Sequence, residues 1–455
     1  MVDEESFDVI VLGIGSGGEL AARKLARAGL SVAGVESRLV GGECPFWGCT
    51  PSKLLIRSAD ALAEARRAGE LSGEVSVTPS LAPAAARIRE ANHDWHDDAH
   101  AEPLDDEGVT IVRGHGRLDG TGRVRVQTDD GERVLVGERG VVVNTGTKPA
   151  APPIDGLDDT PFWTNRDIFE LTEAPESMAV IGGGPIGCEL AQTFARFGTA
   201  VTLIEVAPRI LMPEEPESAE LMCGVLSDDG IDLRAAADVE RVSHDGRCFT
   251  IVVDGEEVVV DRLLVAAGRH QNLDDIGLET VGLDPEATTI EVDERCRAGE
   301  RLWAVGDITG HGAFTHVSLY QGDVVVRDLL GEEGPWAEYH GVSRVTFTDP
   351  EVGSVGLTEE QAREQGIEVV TGLADIGRDS RGWIHGAEGL VKVVADADRG
   401  VLVGASVVAP YGGEVLGLLS AAVHARIPVA TLRGMHFAYP TFHRTIRVAL
   451  HKTGL

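Results

Sequence analysis

The chain has 455 residues, 74 of them Asp or Glu and 40 Lys or Arg, for a formal net charge of −34. So acidic a chain repels nucleic acid and anionic membranes, and its length suggests about three domains at ~100–200 residues each. Six cysteines do not make a disulfide framework at this length, the acidic start lacks a signal peptide's basic segment, and no apolar run approaches ~18 residues; a soluble, cytoplasmic protein is expected.

Phe7–Glu36 (FDVIVLGIGSGGELAARKLARAGLSVAGVE) reads as an apolar strand, a glycine turn, an amphipathic helix and a second strand closing on Glu, a βαβ unit. Residues 54–100 carry Ala, Leu and Arg at helical spacing and read as mostly helical. There a helix would set His93, His96 and His100 near one face among Asp94, Asp97 and Asp98. A metal site is one reading; a solvated helix face is the simpler one. Residues 108–145 are strand-rich, and the Pro-rich 148–156 (KPAAPPIDG) suits a connector out of a first domain. Met178–Glu205 (MAVIGGGPIGCELAQTFARFGTAVTLIE) repeats the βαβ pattern, and a β-rich region, 231–270, follows. After 329–336, strands such as VTFTD and GLVKVVAD mix with helices without a glycine fingerprint and read as a separate α+β domain.

Gly13-Ile14-Gly15-Ser16-Gly17-Gly18 and Gly182-Gly183-Gly184-Pro185-Ile186-Gly187 both satisfy GxGxxG. Glycines permit the tight turn and bring backbone N–H groups at a helix N-terminus up to a pyrophosphate. One such turn can be a bend without ligand. Two in full βαβ context, each with a terminal acid (Glu36, Glu205) able to accept from ribose hydroxyls, point to two dinucleotides. Glu205 would repel a 2′-phosphate and so favours NAD over NADP; Arg209 either contacts a phosphate or is simply solvated. Cys44 and Cys49 follow the first βαβ unit in GGECPFWGCTPSK (41–53). They can close a small disulfide loop, be two buried thiols, or form half a metal site. The lack of a nearby Cys/His pair argues against zinc. Cys49 opens a predicted helix whose dipole would stabilise a thiolate.

With Asn144-Thr145-Gly146-Thr147-Lys148-Pro149, Ala267-Gly268-Arg269, Trp303-Ala304-Val305-Gly306-Asp307 and Phe347-Thr348-Asp349-Pro350-Glu351, these motifs run along nearly the whole chain. In that order they resemble the pyridine nucleotide–disulfide oxidoreductases, such as dihydrolipoamide dehydrogenase, glutathione reductase and mercuric reductase. The resemblance implies an α/β fold: two Rossmann-like dinucleotide-binding domains, for FAD and NAD, plus a C-terminal α+β dimerisation domain. The expected spans are 1–152 for FAD, 153–272 for NAD, 273–338 for the FAD domain continued and 339–455 for dimerisation. It further implies a homodimer in which hydride passes from NADH to flavin N5, and electrons then reach a Cys44–Cys49 disulfide. Cys49 would be the flavin-facing thiol and Cys44 the outer, interchange thiol. Lys53 and Glu189 match an ion pair beside the flavin, although Lys53 taken alone could be a surface helix residue. By motif position the cofactors would be held by Gly13, Gly15, Ser16, Gly17, Gly18, Glu36, Gly42, Glu43, Lys53, His115, Gly116, Thr145, Gly146, Asp307, Phe314, Thr315 and His316, and by Gly182, Gly184, Pro185, Ile186, Gly187, Glu189, Glu205, Val239 and Gly268. Asp307 should bind the ribityl chain, and the helix opening at Thr315 should stabilise reduced flavin through its dipole.

Two departures bear on the acceptor. The family's C-terminal His-Pro motif, with Glu five residues after the His, supplies an acid/base for the thiols of the partner subunit. Aligning on Pro440-Thr441 puts Tyr439 at the His position and Arg444 at the Glu position. Tyrosine as a residue type titrates near ~10 against ~6.5 for His, so it donates a hydrogen bond at neutral pH but rarely takes a proton. His436 and His443 could substitute or merely pack. Mercuric reductases also carry Tyr near this position but end in a Cys pair, which Leu450–Leu455 lacks. Second, Pro45, Phe46 and Trp47 stand between the cysteines, where relatives have small or aliphatic residues. They form either an aromatic wall for a flat acceptor such as a quinone, or core. A disulfide acceptor leads these readings. Direct quinone or electrophile reduction from flavin, chemistry like that of the ketopropyl-coenzyme M carboxylases, and a flavin-binding redox sensor are the alternatives.

Overall fold

The computed structural model describes residues 4–455, and the chain divides into two compact units. One comprises the segment ending at Ser52 with Ala86–Ala150 and Arg269–Tyr339; the other comprises Lys53–Ala85, Ala151–Gly268 and His340–Leu455.

In the first unit, strand Glu4–Leu12 lies inside an eight-stranded sheet, parallel to Val32–Glu36 on one side and Gly131–Val143 on the other. Val109–Arg113 and Leu302–Ala304 extend the sheet in either direction. Val9 and Val11 pack with Ala21, Leu25 and Val325 on one face, while Ile10 and Leu12 pack with Val124, Leu135 and Ile276 on the other. Burial on both faces is why this strand reads as an unbroken apolar run rather than an alternation. The register pairs Leu12 with Val35 and Val143, and Val143 with Ala304. Four strand ends are thereby level at the carboxyl edge, where open α/β sheets form their ligand crevice.

In the second unit, Asp232–Ala235, Ala200–Glu205, Ser177–Ile181 and Arg262–Val265 make a four-stranded parallel sheet. A three-stranded antiparallel meander, Val239–His244, Phe249–Val253 and Glu256–Val260, accompanies it. Residues 343–409 supply a five-stranded antiparallel sheet. Val391, Val393 and Val407 from that sheet form a core with Leu416, Leu419 and Ile446 of helices Gly412–His424 and His443–Lys452.

The stretch expected to be mostly helical is broken. Helix Cys49–Leu71 is followed by Ala82–Ala91, a 3-10 turn at His93–Trp95 and helix Asp98–Asp106. His93, Asp94 and Trp95 take positive φ (50°, 51° and 58°). Asp97, just beyond this break, accepts from Val40 N at 2.5 Å and from the Arg113 guanidinium at 2.6 Å. The three imidazoles therefore share no helix face: His96 Nδ1 lies 3.0 Å from His93 O, and His100 Nδ1 lies 3.2 Å from Glu19.

Candidate active site

At the first glycine turn, Gly13 has φ +95°, and a Cβ there would overlap the Asn144 carbonyl. Glycine is required on both counts. Asn144 Nδ2 donates to Gly13 O (3.2 Å), and a Cβ on Gly42 would sit 2.8 Å from Gly15 Cα. Helix Ser16–Arg27 starts at Gly15 with no side-chain cap, so its first N–H groups are offered to an anion. Glu36 accepts from Ile14 N (2.9 Å) and Arg38 N (2.8 Å). Burial raises its carboxyl above the usual range, against those two bonds. Each of its oxygens keeps a lone pair for a ribose hydroxyl.

The crevice continues through residues distant in sequence. Thr147 Oγ1 donates to Asp307 (2.7 Å), and Arg269 donates to Thr147 Oγ1 (2.6 Å) and to Glu43 (3.1 Å). Burial raises the Asp307 carboxyl. Helix Thr315–Leu329 also begins without a side-chain cap, and Phe314 stacks on His316 with centroids 5.2 Å apart. The Thr145 hydroxyl is buried without a protein partner. His115 is exposed on a short strand; a Cβ on its neighbour Gly116 would clash with Val35 (2.9 Å). The Arg269–Glu43–Asp307 connection is not legible in the sequence. Its members are visible only as parts of three separate motifs.

Both cysteines are thiols, Cys44 half-buried and Cys49 exposed as the first residue of helix Cys49–Leu71. A hydrogen bond to Cys49, and then burial, push the Cys44 thiol well above its ordinary value. Cys49 Sγ lies 3.4 Å from Thr315 Oγ1, so two helix N-termini and a hydroxyl converge on the pair. Partial positive charge at a helix N-terminus favours a thiolate over a thiol, while the Cys44 thiol is held protonated. Phe46 is 1% exposed and packs against Trp47 and His100, each 5.8 Å away. It fills core; of the two aromatics only Trp47 is even half-exposed.

In the second unit, Gly182 has φ +113°, and a Cβ at Gly187 would overlap the Gly182 carbonyl. Helix Pro185–Phe197 starts at Gly184 uncapped, with Pro185 in its first turn and Ile186 next. Glu205 accepts from Gly183 N (2.6 Å) and Ala207 N (2.7 Å). The Arg209 guanidinium is spent on the carbonyls of Leu211 (2.8 Å), Met212 (3.0 Å) and Glu214 (2.9 Å). Val239 begins the meander, and Gly268 (φ +138°) faces open space. Lys53 Nζ pairs with Glu189 Oε2 at 2.9 Å. Glu189, 5% exposed, also accepts from Phe347 N (2.8 Å), and Lys53 sits 4.4 Å above the Phe347 ring.

Tyr439 is 68% exposed and donates to Ser380 Oγ (3.0 Å). Arg444 lies 5.0 Å over its ring and donates to Asp379 at 3.3 Å. The two residues aligned with the family's acid/base couple are thus together, but as a phenol and a guanidinium. His436 is exposed and His443 opens the last helix.

Two glycine cradles, each with its strand-terminal acid, and a dithiol at a helix N-terminus define an enzyme that moves electrons between a dinucleotide and a sulfur pair. The family described as "Pyridine nucleotide-disulphide oxidoreductase" matches residues 7–322, and its dimerisation domain matches 342–450. A dihydrolipoyl dehydrogenase of Chlorobaculum tepidum is 32% identical over 451 residues, covering 97% of this chain and 96% of the relative. A mercuric reductase of Streptomyces lividans is 32% identical over 456 residues, covering 97% and 95%. Among solved structures, the Cu(II) complex of the HOCl-induced flavoprotein disulfide reductase RclA from Escherichia coli superposes with TM-score 0.86 at 27% identity, covering 98% of this chain and 99% of that one. The chain belongs to the pyridine nucleotide–disulfide oxidoreductase family. It is an FAD-dependent oxidoreductase using NAD(P)H, as its relatives are, with the α/β fold expected from its motifs. Among the described residues, no helix is long and apolar enough to cross a membrane.

Proposed function

We propose that the enzyme uses NADH to reduce a disulfide-type acceptor through Cys44 and Cys49. The observation carrying this reading is the hydrogen-bonded sulfur pair, with Cys49 at a helix N-terminus and Thr315 beside it. The first unit fits the flavin dinucleotide: its turn excludes any Cβ, its helix is uncapped and Thr145 Oγ1 is an orphaned buried hydroxyl. Glu36 would take the ribose, Asp307 the ribityl chain and the Thr315 helix the reduced ring's charge. When bound, the flavin would supply two-electron transfer between NADH and the cysteine disulfide.

Reduction by two electrons and one proton leaves a Cys49 thiolate and a Cys44 thiol. Cys44, once deprotonated, attacks an acceptor disulfide and expels one thiolate. Cys49 then attacks the mixed disulfide, expels the second and restores the Cys44–Cys49 bond. One leaving thiolate takes the proton that Cys44 released and the other takes one from solvent, so NADH, one proton and the disulfide become NAD and two thiols; the Tyr439 hydroxyl would serve only as a hydrogen-bond donor. Preference for NADH follows from Glu205 at the nicotinamide dinucleotide turn and from an Arg209 already committed to backbone carbonyls.

We further propose a cytoplasmic homodimer with domains 1–152 and 273–338 for FAD, 153–272 for NAD and 339–455 for dimerisation. Exposed Trp383, Ile384, Tyr411 and Met435 in the last segment support the association. A second reading, quinone reduction directly from flavin, draws on the missing acid/base couple. A screen of lipoamide, small disulfides and quinones with NADH and NADPH separates the two: quinone turnover that survives Cys44→Ala, with no disulfide turnover in the wild type, would favour the second.

A further inference from the structure

Lys53, Asp60 and Arg67 follow one another at seven-residue intervals on helix Cys49–Leu71, so they share a helix face. Glu189, Gln192 and Arg196 do the same at i, i+3, i+7 on helix Pro185–Phe197. The rows are joined directly at Lys53–Glu189 and at Asp60–Arg196, and the backbone and side chains of 347–349 bridge them at each level. Lys53–Glu189–Phe347 is the first rung. In the second, Gln192 Nε2 donates to Asp349 O (2.9 Å) and Asp229 (2.8 Å), and its Oε1 accepts from Asp349 N (2.8 Å). In the third, Arg196 forks to Asp60 (2.9 Å), Asp349 (2.9 Å) and Asp229 (3.3 Å). Arg67 holds Asp349 from the other side at 3.1 Å.

Arg196 is 4% exposed. Burying so many charges is a poor route to stability, because desolvation offsets the attraction; what such a network gives is a fixed register. A planar guanidinium held by three carboxylates allows one relative placement of the two helices. Only the first rung holds the pair that the family resemblance sets beside the flavin.

We propose that Arg196 is a positioning residue: through Asp60 and Asp349 it locks the helix of Lys53 against the helix of Glu189 and so fixes the orientation of that ion pair. This rests on the placement of Lys53–Glu189 beside the flavin. Asp60 is the yielding point of the lock. It is faced by Arg196, by Asp349 and Glu351, and by Arg57 of its own helix; burial, followed by Asp349, pushes its carboxyl up to about 6.

The test uses flavin-loaded enzyme and three readouts: the single-turnover rate of flavin reduction by NADH, the flavin midpoint potential by dye equilibration, and the pH profile of that rate. Arg196→Gln should slow reduction roughly tenfold, a typical positioning effect, and shift the potential in the same direction as Lys53→Met. Arg196→Lys should recover only part, since an ammonium cannot fork. Asp60→Asn, which relieves crowding, should fold whether or not the arginine variants do. The wild type should show an acid limb near pH 6 and Asp60→Asn should lose it, its rate staying at the wild type's low-pH level. The proposal is overturned if Lys53→Met moves rate and potential while folded Arg196→Gln moves neither, or if Asp60→Asn keeps the acid limb. A Lys53→Met enzyme unchanged in both would instead remove the flavin-side placement on which the proposal stands.

Discussion

Replacing Tyr439 with His and Arg444 with Glu should raise turnover of lipoamide and other small disulfides. General acid–base catalysis is worth roughly 10²–10⁴-fold. A couple grafted onto an exposed segment, with Tyr439 68% exposed, belongs at the low end: roughly 10²-fold, or about 2.7 kcal/mol of barrier. The fold should tolerate the change. Arg444 gives Asp379 one bond at 3.3 Å, and Asp379 retains Ser380 N (2.7 Å) and Thr445 Oγ1 (3.3 Å). Losing that charge-assisted bond costs about 1.5–3 kcal/mol, and a carboxylate at 444 adds repulsion with Asp379, within the ~5–15 kcal/mol stability of a typical protein. The assay is steady-state NADH oxidation with each disulfide from pH 6 to 9, where the imidazole should add an acid limb near ~6.5. A folded, flavin-loaded double variant with wild-type turnover would refute the view that the absent couple limits disulfide exchange.

Glu205→Gln should cut the preference for NADH over NADPH by roughly tenfold, the scale of one charge-assisted hydrogen bond, read as the ratio of kcat/KM values; an unchanged ratio would remove Glu205 from cofactor choice. Lys392, 5% exposed, is ringed by Glu215 (2.9 Å), Glu217 (2.8 Å) and Glu359 (2.9 Å). Lys392→Met should destabilise by about 3–5 kcal/mol because Glu215, 3% exposed, is left charged and buried; adding Glu215→Gln should recover most of it in urea unfolding. Folding raises the Asp60 carboxyl from the model-compound 3.8 to about 6. The native state therefore holds a proton the unfolded chain has lost, and stability falls as pH rises through that window. Relative to wild type, Asp60→Asn should melt higher at pH 7.5 than at pH 4.5; the reverse order would contradict the sign.

Both βαβ units, the cysteine loop and the loss of the acid/base couple were legible in the sequence. Each depends on local requirements: glycines where a Cβ would overlap Asn144 or Gly182 carbonyls, and Pro-Thr as an alignment anchor. The broken helix at His93–Trp95 was not, because what opposes it is Asp97 reaching Val40 and Arg113, two distant positions. The Arg196 lock was hidden for the same reason: residues 60, 196, 229 and 349 carry no common motif. Phe46 and Trp47 read identically in sequence, and only packing against His100 makes Phe46 core.

The passage of electrons through the sulfur pair is tested most directly by Cys44→Ala, loaded with flavin, given NADH anaerobically and then the disulfide that the wild type reduces best. The flavin should bleach as in the wild type while disulfide reduction falls to the uncatalysed background. Disulfide turnover persisting at the wild-type rate would contradict the account.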